Sequence, residues 1–242
     1  MNLDVDYRRL KGNYTKAFYY DAIPVREDGE AEPAYEARIK PIRAVLDAVA
    51  ATDGMHVYEG DARRRRRRGL EQKKVDVMLA VDMLTHAFRR NMHKATLLTG
   101  DGDFKPLIDA LVQDGMFVTL WYPPDETSVE LMQAADARKR LDMRALAGLL
   151  TDESRMRFAL PDSQNVHPSM PIGDAIDNWQ VDGKEYGLFK NGNEFIVTWV
   201  HNQLNRLQIK HSDFELLCEY CRDSVEIQVP EMVKARIHDR AA

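Results

Sequence analysis

The chain has 242 residues, 44% of them hydrophobic and 30% charged, with a formal net charge of −5. That is enough for one large domain or two small ones with a real core, and it excludes a disordered or fibrous chain. No apolar run approaches the roughly 20 residues of a membrane span, the N-terminus has no signal-peptide pattern, and two cysteines make no disulfide framework, so a cytoplasmic protein without a membrane partner is expected.

Met1 to Gly12 reads as a short helix with Leu3, Tyr7 and Leu10 on one stripe, and Thr15 to Ile23 as a strand ended by Pro24. A polar loop follows. Ala34 to Ala51 then has Ile39, Ile42, Val45, Leu46 and Val49 at helical spacing, with Pro41 predicting a kink or a later start. Met55 to Tyr58 is a second strand, and Gly60 to Gln72 is an arginine-rich loop. Within it, residues 63–74 hold six arginines, two lysines and one glutamate, a local +7 that leaves −12 on the rest. A mostly acidic chain with one dense basic patch suggests a locally placed polyanion.

Lys73 to Phe88 is predicted as a helix with an almost continuous apolar surface: Val75, Met78, Leu79, Val81, Leu84 and Phe88. Ala95 to Thr99 reads as a strand buried on both faces, broken by Gly100 and Gly102. Phe104, Leu107, Ile108 and Leu111 then recur at helical spacing, with Pro106 in the first turn and Asp114-Gly115 at the close. Met116 to Trp121 is another strand, and Ser128 to Asp136 the last helix before the texture changes. Strands alternating with helices predict an α/β fold with a parallel sheet.

Past about Ala147 periodicity weakens, and 148–171 reads as a linker. Alternating residues around Lys190-Asn-Gly-Asn193 predict a hairpin, and His211 to Cys221 a short helix, so 172–242 is expected to be a small α+β unit.

Asp101 and Asp103 fall where a parallel strand hands over to a helix, at the strand ends where α/β sheets place their ligands. Two acids crowded there repel unless a cation or a shared proton relieves them, and Mg²⁺ takes carboxylate oxygens. The bland alternative is a turn or helix-capping role. Asp76 lies in the first turn of the 73–88 helix, where the helix dipole favours it whatever its function, yet Val75-Asp76-Val77 is set in an apolar helix where an acid is partly desolvated. Asp82, six residues on, lies about 240° around the helix and cannot share that face.

Three ordered segments carry a resemblance: residues 72–83 (QKKVDVMLAVDM), 97–108 (LLTGDGDFKPLI) and 115–120 (GMFVTL). They resemble the NYN domain family, the bacterial LabA-like branch of the PIN-like nucleases, and Ser128 to Asp136 resembles its last helix. The likeness covers about residues 1 to 145. It implies a PIN-like, Rossmannoid parallel sheet flanked by helices and a Mg²⁺- or Mn²⁺-dependent ribonuclease, a hydrolase acting on single-stranded or structured RNA. By the resemblance Asp76 matches the acid of a Lys-Gly-Val-Asp motif, with Lys74 in place of Gly. Asp101 and Asp103 match the acids of a Ser-Gly-Asp-Ser-Asp-Phe motif, with Thr99 at the Ser position. Asn2 matches the Asn of the family's opening Asp-x-Asn-Leu, whose strand and Asp are absent from this chain. Since that strand is central in the family, its loss predicts an unpaired gap between its neighbours. Either the chain is shortened, or Asp4 or Asp6 compensates, or the domain is inactive.

Arg63, Arg64, Arg65, Arg66, Arg67 and Arg68, with Lys73 and Lys74, lead straight into Asp76 and suit phosphate contacts, against a plain solvated loop. Trp121 and Tyr122 near a strand end are candidates for base stacking or for the core. Cys218-Glu-Tyr-Cys221 lacks the second pair that zinc requires, and His211 and His238 miss finger spacing. No G-x-G-x-x-G follows a strand, so a Rossmann cofactor enzyme is a poor reading. The expectation is a metal-dependent endoribonuclease. The alternative is an inactive module that binds RNA or a protein through its arginine loop, and a homo-oligomer is compatible with either.

Overall fold

The computed structural model describes residues 3–60, 73–202 and 204–241, which fall into two units, Met1–Leu141 and Asp142–Ala242. The first unit runs α1 (Tyr7–Lys11), β1 (Ala17–Ala22), α2 (Glu32–Ala50), β2 (Met55–Gly60), α3 (Lys73–Phe88), β3 (Lys94–Leu98), a 3-10 turn (Gly102–Phe104), α4 (Lys105–Gln113), β4 (Phe117–Tyr122), α5 (Val129–Ala134) and β5 (Ala137–Arg140). Every strand pair in it is parallel, so the α/β expectation is met. The strands form two sheets, β1–β2 and β3–β4–β5, and no ladder joins β1 to β3 among the described residues. Instead the Tyr14 hydroxyl hydrogen-bonds Thr96 Oγ1 on β3, and its ring meets Trp121 of β4 edge-on.

The core of this unit lies on one face of β3–β4–β5. Leu97, Val118 and Leu120 point from the strands into Leu107, Ile108 and Leu111 of α4 and Leu131 of α5. Helix α2 buries Ile39, Leu46 and Val49, packs on β2, and runs through Pro41. Helix α3 departs from its expected all-round apolar packing. Val75 and Ala87 are buried, but Val77, Val81 and Phe88 are 61%, 55% and 66% exposed. One side of a sheet covers only one face of a helix, so the rest of an apolar surface stays outside.

Strand β5 has the sequence Ala-Arg-Lys-Arg and was not expected. Its register is held from outside its own side chains: it pairs with Thr119–Tyr122, and Asp136 just before it accepts from the Val118 N–H at 2.8 Å.

The second unit holds α6 (Met143–Gly148), α7 (Asp152–Arg157), β6 (Asp162–Val166), β7 (Asp174–Val181), β8 (Lys184–Asn191), β9 (Glu194–Val200), β10 (Arg206–His211), α8 (Phe214–Val225) and α9 (Glu231–Ala241). Its sheet is antiparallel in the order β6-β10-β9-β8-β7. Leu188, Val197 and Ile209 face Phe214, Leu217 and Cys221 of α8. The expected hairpin is β8–β9, turning at Gly192 with φ +60°. A second hairpin, β7–β8, turns through Asp182 and Gly183, both at positive φ, as an Asp-Gly turn of this kind requires.

The boundary between units falls after Leu141, where the sequence suggested Ala147, and 148–171 contains α7 and β6. Polar Asp-Ser-Gln-Asn-Val makes β6 an edge strand, four of whose five residues are exposed, so no apolar alternation marks it. A cavity of about 590 Å³ in this unit is lined by Trp179, Gly187, Phe189, Thr198 and Arg206 among others. Arg206 is a clamp there, donating to the Pro168 and Met170 carbonyls at 2.8 and 2.7 Å.

Cys218 and Cys221 are free thiols buried on one face of α8. Burial pushes both up to about 12. A folded-state value above the ordinary 9.0 favours the protonated form, so this contribution to stability is present below pH 9 and is lost as pH rises toward 12. Iodoacetamide at pH 8 is therefore expected to leave both thiols unmodified in the native protein and to alkylate both in urea, as read by intact mass. Rapid native alkylation would contradict the packing of α8.

Candidate metal centre

The carboxyl end of β3 runs into Thr99-Gly100-Asp101-Gly102-Asp103, and local hydrogen bonds set the path of this loop. Thr99 Oγ1 accepts from the Asp101 N–H at 3.0 Å, and Asp101 Oδ1 accepts from the Asp103 N–H at 2.9 Å, capping the 3-10 turn. The capping role weighed for Asp101 is thus present, and it fixes the direction of that carboxylate. A Cβ on Gly100 would stand 3.0 Å from Pro123 Cγ and 3.1 Å from Thr127 Oγ1, so the loop after β3 passes close to the loop after β4 and a side chain here would push those two neighbours back by a few tenths of an ångström.

Asp76 reaches the same place from another element. A Cβ on Gly60, the last residue of β2, would lie 2.5 Å from Val75 Cγ2, so the start of α3 presses on the end of β2. The next residue, Asp76, is partly buried. Its carboxyl is raised above the ordinary 3.8, first by desolvation and then by the charges of Asp101 and Asp103. The tertiary structure therefore makes these three acids electrostatic neighbours, although Asp76 is some 25 positions away in the chain. Among the described residues none of the three has a salt-bridge partner, and nearby Lys105 is paired with Asp109 at 2.6 Å. No group of three His, Cys, Asp or Glu side chains among the described residues is drawn together closely enough to hold a metal ion, so the acids are neighbours without forming a closed cage.

The other candidates separate. Asp82 accepts from the Tyr20 hydroxyl of β1 at 3.1 Å, away from the three acids, as its angle around the helix implied. Thr99 supports the loop through its hydroxyl. Asp6 caps α1, accepting from the N–H groups of Arg8 and Arg9 and pairing with the Arg9 side chain, so its carboxylate is engaged. Asp4 lies near Tyr7, whose hydroxyl is raised first by burial and then by the Asp4 charge. Asn2 and Arg63 to Arg68 lie outside the described residues, and Lys73 and Lys74 are placed only as the first residues of α3. No helix among the described residues is long and apolar enough to cross a membrane.

No curated protein matches the chain. A crystal structure of a protein of unknown function from Vibrio parahaemolyticus is similar at 21% identity and a TM-score of 0.44, over 62% of this chain and 83% of that one. The model of the NYN domain matches residues 2–141, more than half the chain and nearly coincident with the first unit. With its parallel strands, flanking helices and acids at the strand ends, the chain belongs to the NYN domain family.

Proposed function

We propose that this protein is a Mg²⁺- or Mn²⁺-dependent endoribonuclease in which Asp76, Asp101 and Asp103 hold the metal. The observation that supports this most is the nearness of three carboxylates at the strand ends, none of which has a salt-bridge partner among the described residues. Such a donor set suits a hard divalent ion, whose charge would turn mutual repulsion into binding. When bound, that ion would polarise a phosphodiester and make its water a better nucleophile. Hydrolysis there would join a water oxygen to phosphorus, break the P–O bond to the leaving ribose oxygen and hand the water's proton to that oxygen. Asp101, oriented by the Asp103 N–H, and Asp76, carried by α3, fix the direction of attack, while Thr99 keeps the loop from swinging. Asn2 and the arginine run, Arg63 to Arg68 with Lys73 and Lys74, are assigned a site-supporting role and RNA-backbone contacts on the family likeness and on charge.

A second reading has its own support. The acids form no closed cage among the described residues, as expected of a module that binds RNA or a protein without cutting it. The two readings part in one assay, incubation of end-labelled single-stranded RNA with the protein and Mn²⁺ or Mg²⁺. The nuclease reading expects internal cleavage that EDTA stops and that Asp101→Asn lowers by more than about a hundredfold. RNA binding without cleavage, unchanged by EDTA and by Asp101→Asn, would establish the module instead.

A further inference from the structure

The face of β3–β4–β5 opposite the core carries the features of a second contact surface. Residues alternate across a strand, so with Val118 and Leu120 buried under the helices, Phe117, Thr119 and Trp121 point to the other side. The register sets Lys94 of β3 beside Phe117, and Leu98 of β3 and Lys139 of β5 on either side of Trp121. This face is open at both ends of β4, with Leu98 51% and Phe117 46% exposed. Between them Trp121 is half-buried, Tyr14 meeting its ring edge-on and bonding Thr96 Oγ1 beside it, so one edge of the indole is covered.

The two aromatic rings share one arrangement. Lys139 Nζ lies 3.9 Å from the centre of the Trp121 ring, and Lys94 Nζ lies 5.8 Å from that of Phe117. Among the described residues neither ammonium has a carboxylate partner, and Lys139 stands between Arg138 and Arg140 on the edge strand. Each position thus combines a flat apolar surface with a cation lacking a counter-anion. Positions four apart on a strand are separated by ~13 Å. Bases that are free to unstack lie flat on aromatic rings on sheet faces, while their phosphates take the cations. A protein partner would be satisfied by the apolar residues alone, but the unpaired cation at each ring is complementary to a chain with a negative charge at every step.

We propose that this sheet face binds single-stranded RNA, with Trp121 and Phe117 as stacking positions and Lys139 and Lys94 as phosphate contacts. The proposal rests on the nuclease reading for the choice of RNA. Trp121 also touches the acidic loop directly, since its carbonyl accepts from the Thr99 N–H at 3.0 Å, two residues before Asp101. RNA stacked on Trp121 is thereby led toward the three acids.

The test is binding of a fluorescein-labelled 12-nucleotide RNA by anisotropy in EDTA, so that cleavage does not enter. Trp121→Ala is expected to weaken binding about tenfold, Phe117→Ala by a smaller factor, and Trp121→Phe to restore most of it. Lys94→Met with Lys139→Met is expected to lower the slope of log affinity against log salt by about 1.4, about 0.7 for each phosphate contact on a single strand. The same sequence as a blunt duplex offers no free base faces, so Trp121→Ala is expected to leave its binding unchanged. Unchanged single-strand affinity in Trp121→Ala, in protein whose circular dichroism matches the wild type, would overturn the proposal. So would an equal loss for single strand and duplex, or failure of Trp121→Phe to recover binding. These outcomes are separate from the nuclease reading, which stands or falls on cleavage in Asp101→Asn.

Discussion

Asp76→Asn is expected to raise the thermal midpoint of the metal-free protein and to abolish the further rise that Mn²⁺ brings to the wild type. Asp76 is partly desolvated at the start of α3 and is repelled by Asp101 and Asp103, so its folded-state carboxyl sits above the ordinary 3.8. An acid whose value is raised on folding releases its proton more readily in the unfolded chain. Stability is therefore lost as pH rises from 3.8 toward the raised value, and it stays lost at neutral pH. Asparagine keeps the shape and removes the charge, so its gain is present at pH 7 and vanishes below about pH 3, where both side chains are neutral. The helix dipole opposes this gain by about 0.3–1 kcal/mol, since it favours an acid in the first turn. The raised carboxyl value puts desolvation and repulsion ahead. With metal the order reverses: a ligand at a hundred times its Kd adds about 2.7 kcal/mol to the wild type, and the variant forgoes it. Differential scanning fluorimetry at pH 7, with EDTA and with Mn²⁺, checks both halves. A lower metal-free midpoint in the variant would show that the three acids do not crowd one another, and an undiminished Mn²⁺ shift would remove Asp76 from the metal centre.

Leu120→Ala is expected to cost about 2–5 kcal/mol of the stability of the first unit. Leu120 has no exposed surface, sits on the central strand of β3–β4–β5, and meets α4 and α5 from below. Neither neighbouring strand can close around the space left, because β4 is fixed on both edges by parallel ladders. Against a typical domain stability of about 5–15 kcal/mol the loss is large. The contrast is Val81→Ala on α3, which removes two methylene-equivalents from a side chain that is mostly in water and is expected to shift stability by less than about 0.5 kcal/mol. Urea denaturation followed by far-ultraviolet circular dichroism measures both. Similar midpoints for the two variants would mean that the core is not centred on β4.

The local half of this protein was legible in the chain itself. The run Ala95 to Leu111 announces strand, turn and helix because burial, glycine punctuation and helical periodicity all act within a few residues, and α3 appears with its expected bounds for the same reason. Asp101 and Asp103 could be singled out because the strand-to-helix turn that places them is written in the two residues' own neighbours. Asp-Gly at 182–183 is a second hairpin signal written in the chain, of the same kind as the Asn-Gly at 191–192. Strands β5 and β6 had no such signal: Ala-Arg-Lys-Arg and Asp-Ser-Gln-Asn-Val take their conformation from the ladders offered by β4 and β10. What only the tertiary structure decided is whatever depends on partners distant in sequence. It separated the parallel strands into two sheets, turned Val81 and Phe88 outward, gave Asp82 to Tyr20, and brought Asp76 to the two loop acids. It also stood Lys139 over Trp121, a pairing fixed by parallel register between strands 18 residues apart, which no periodicity within either strand encodes.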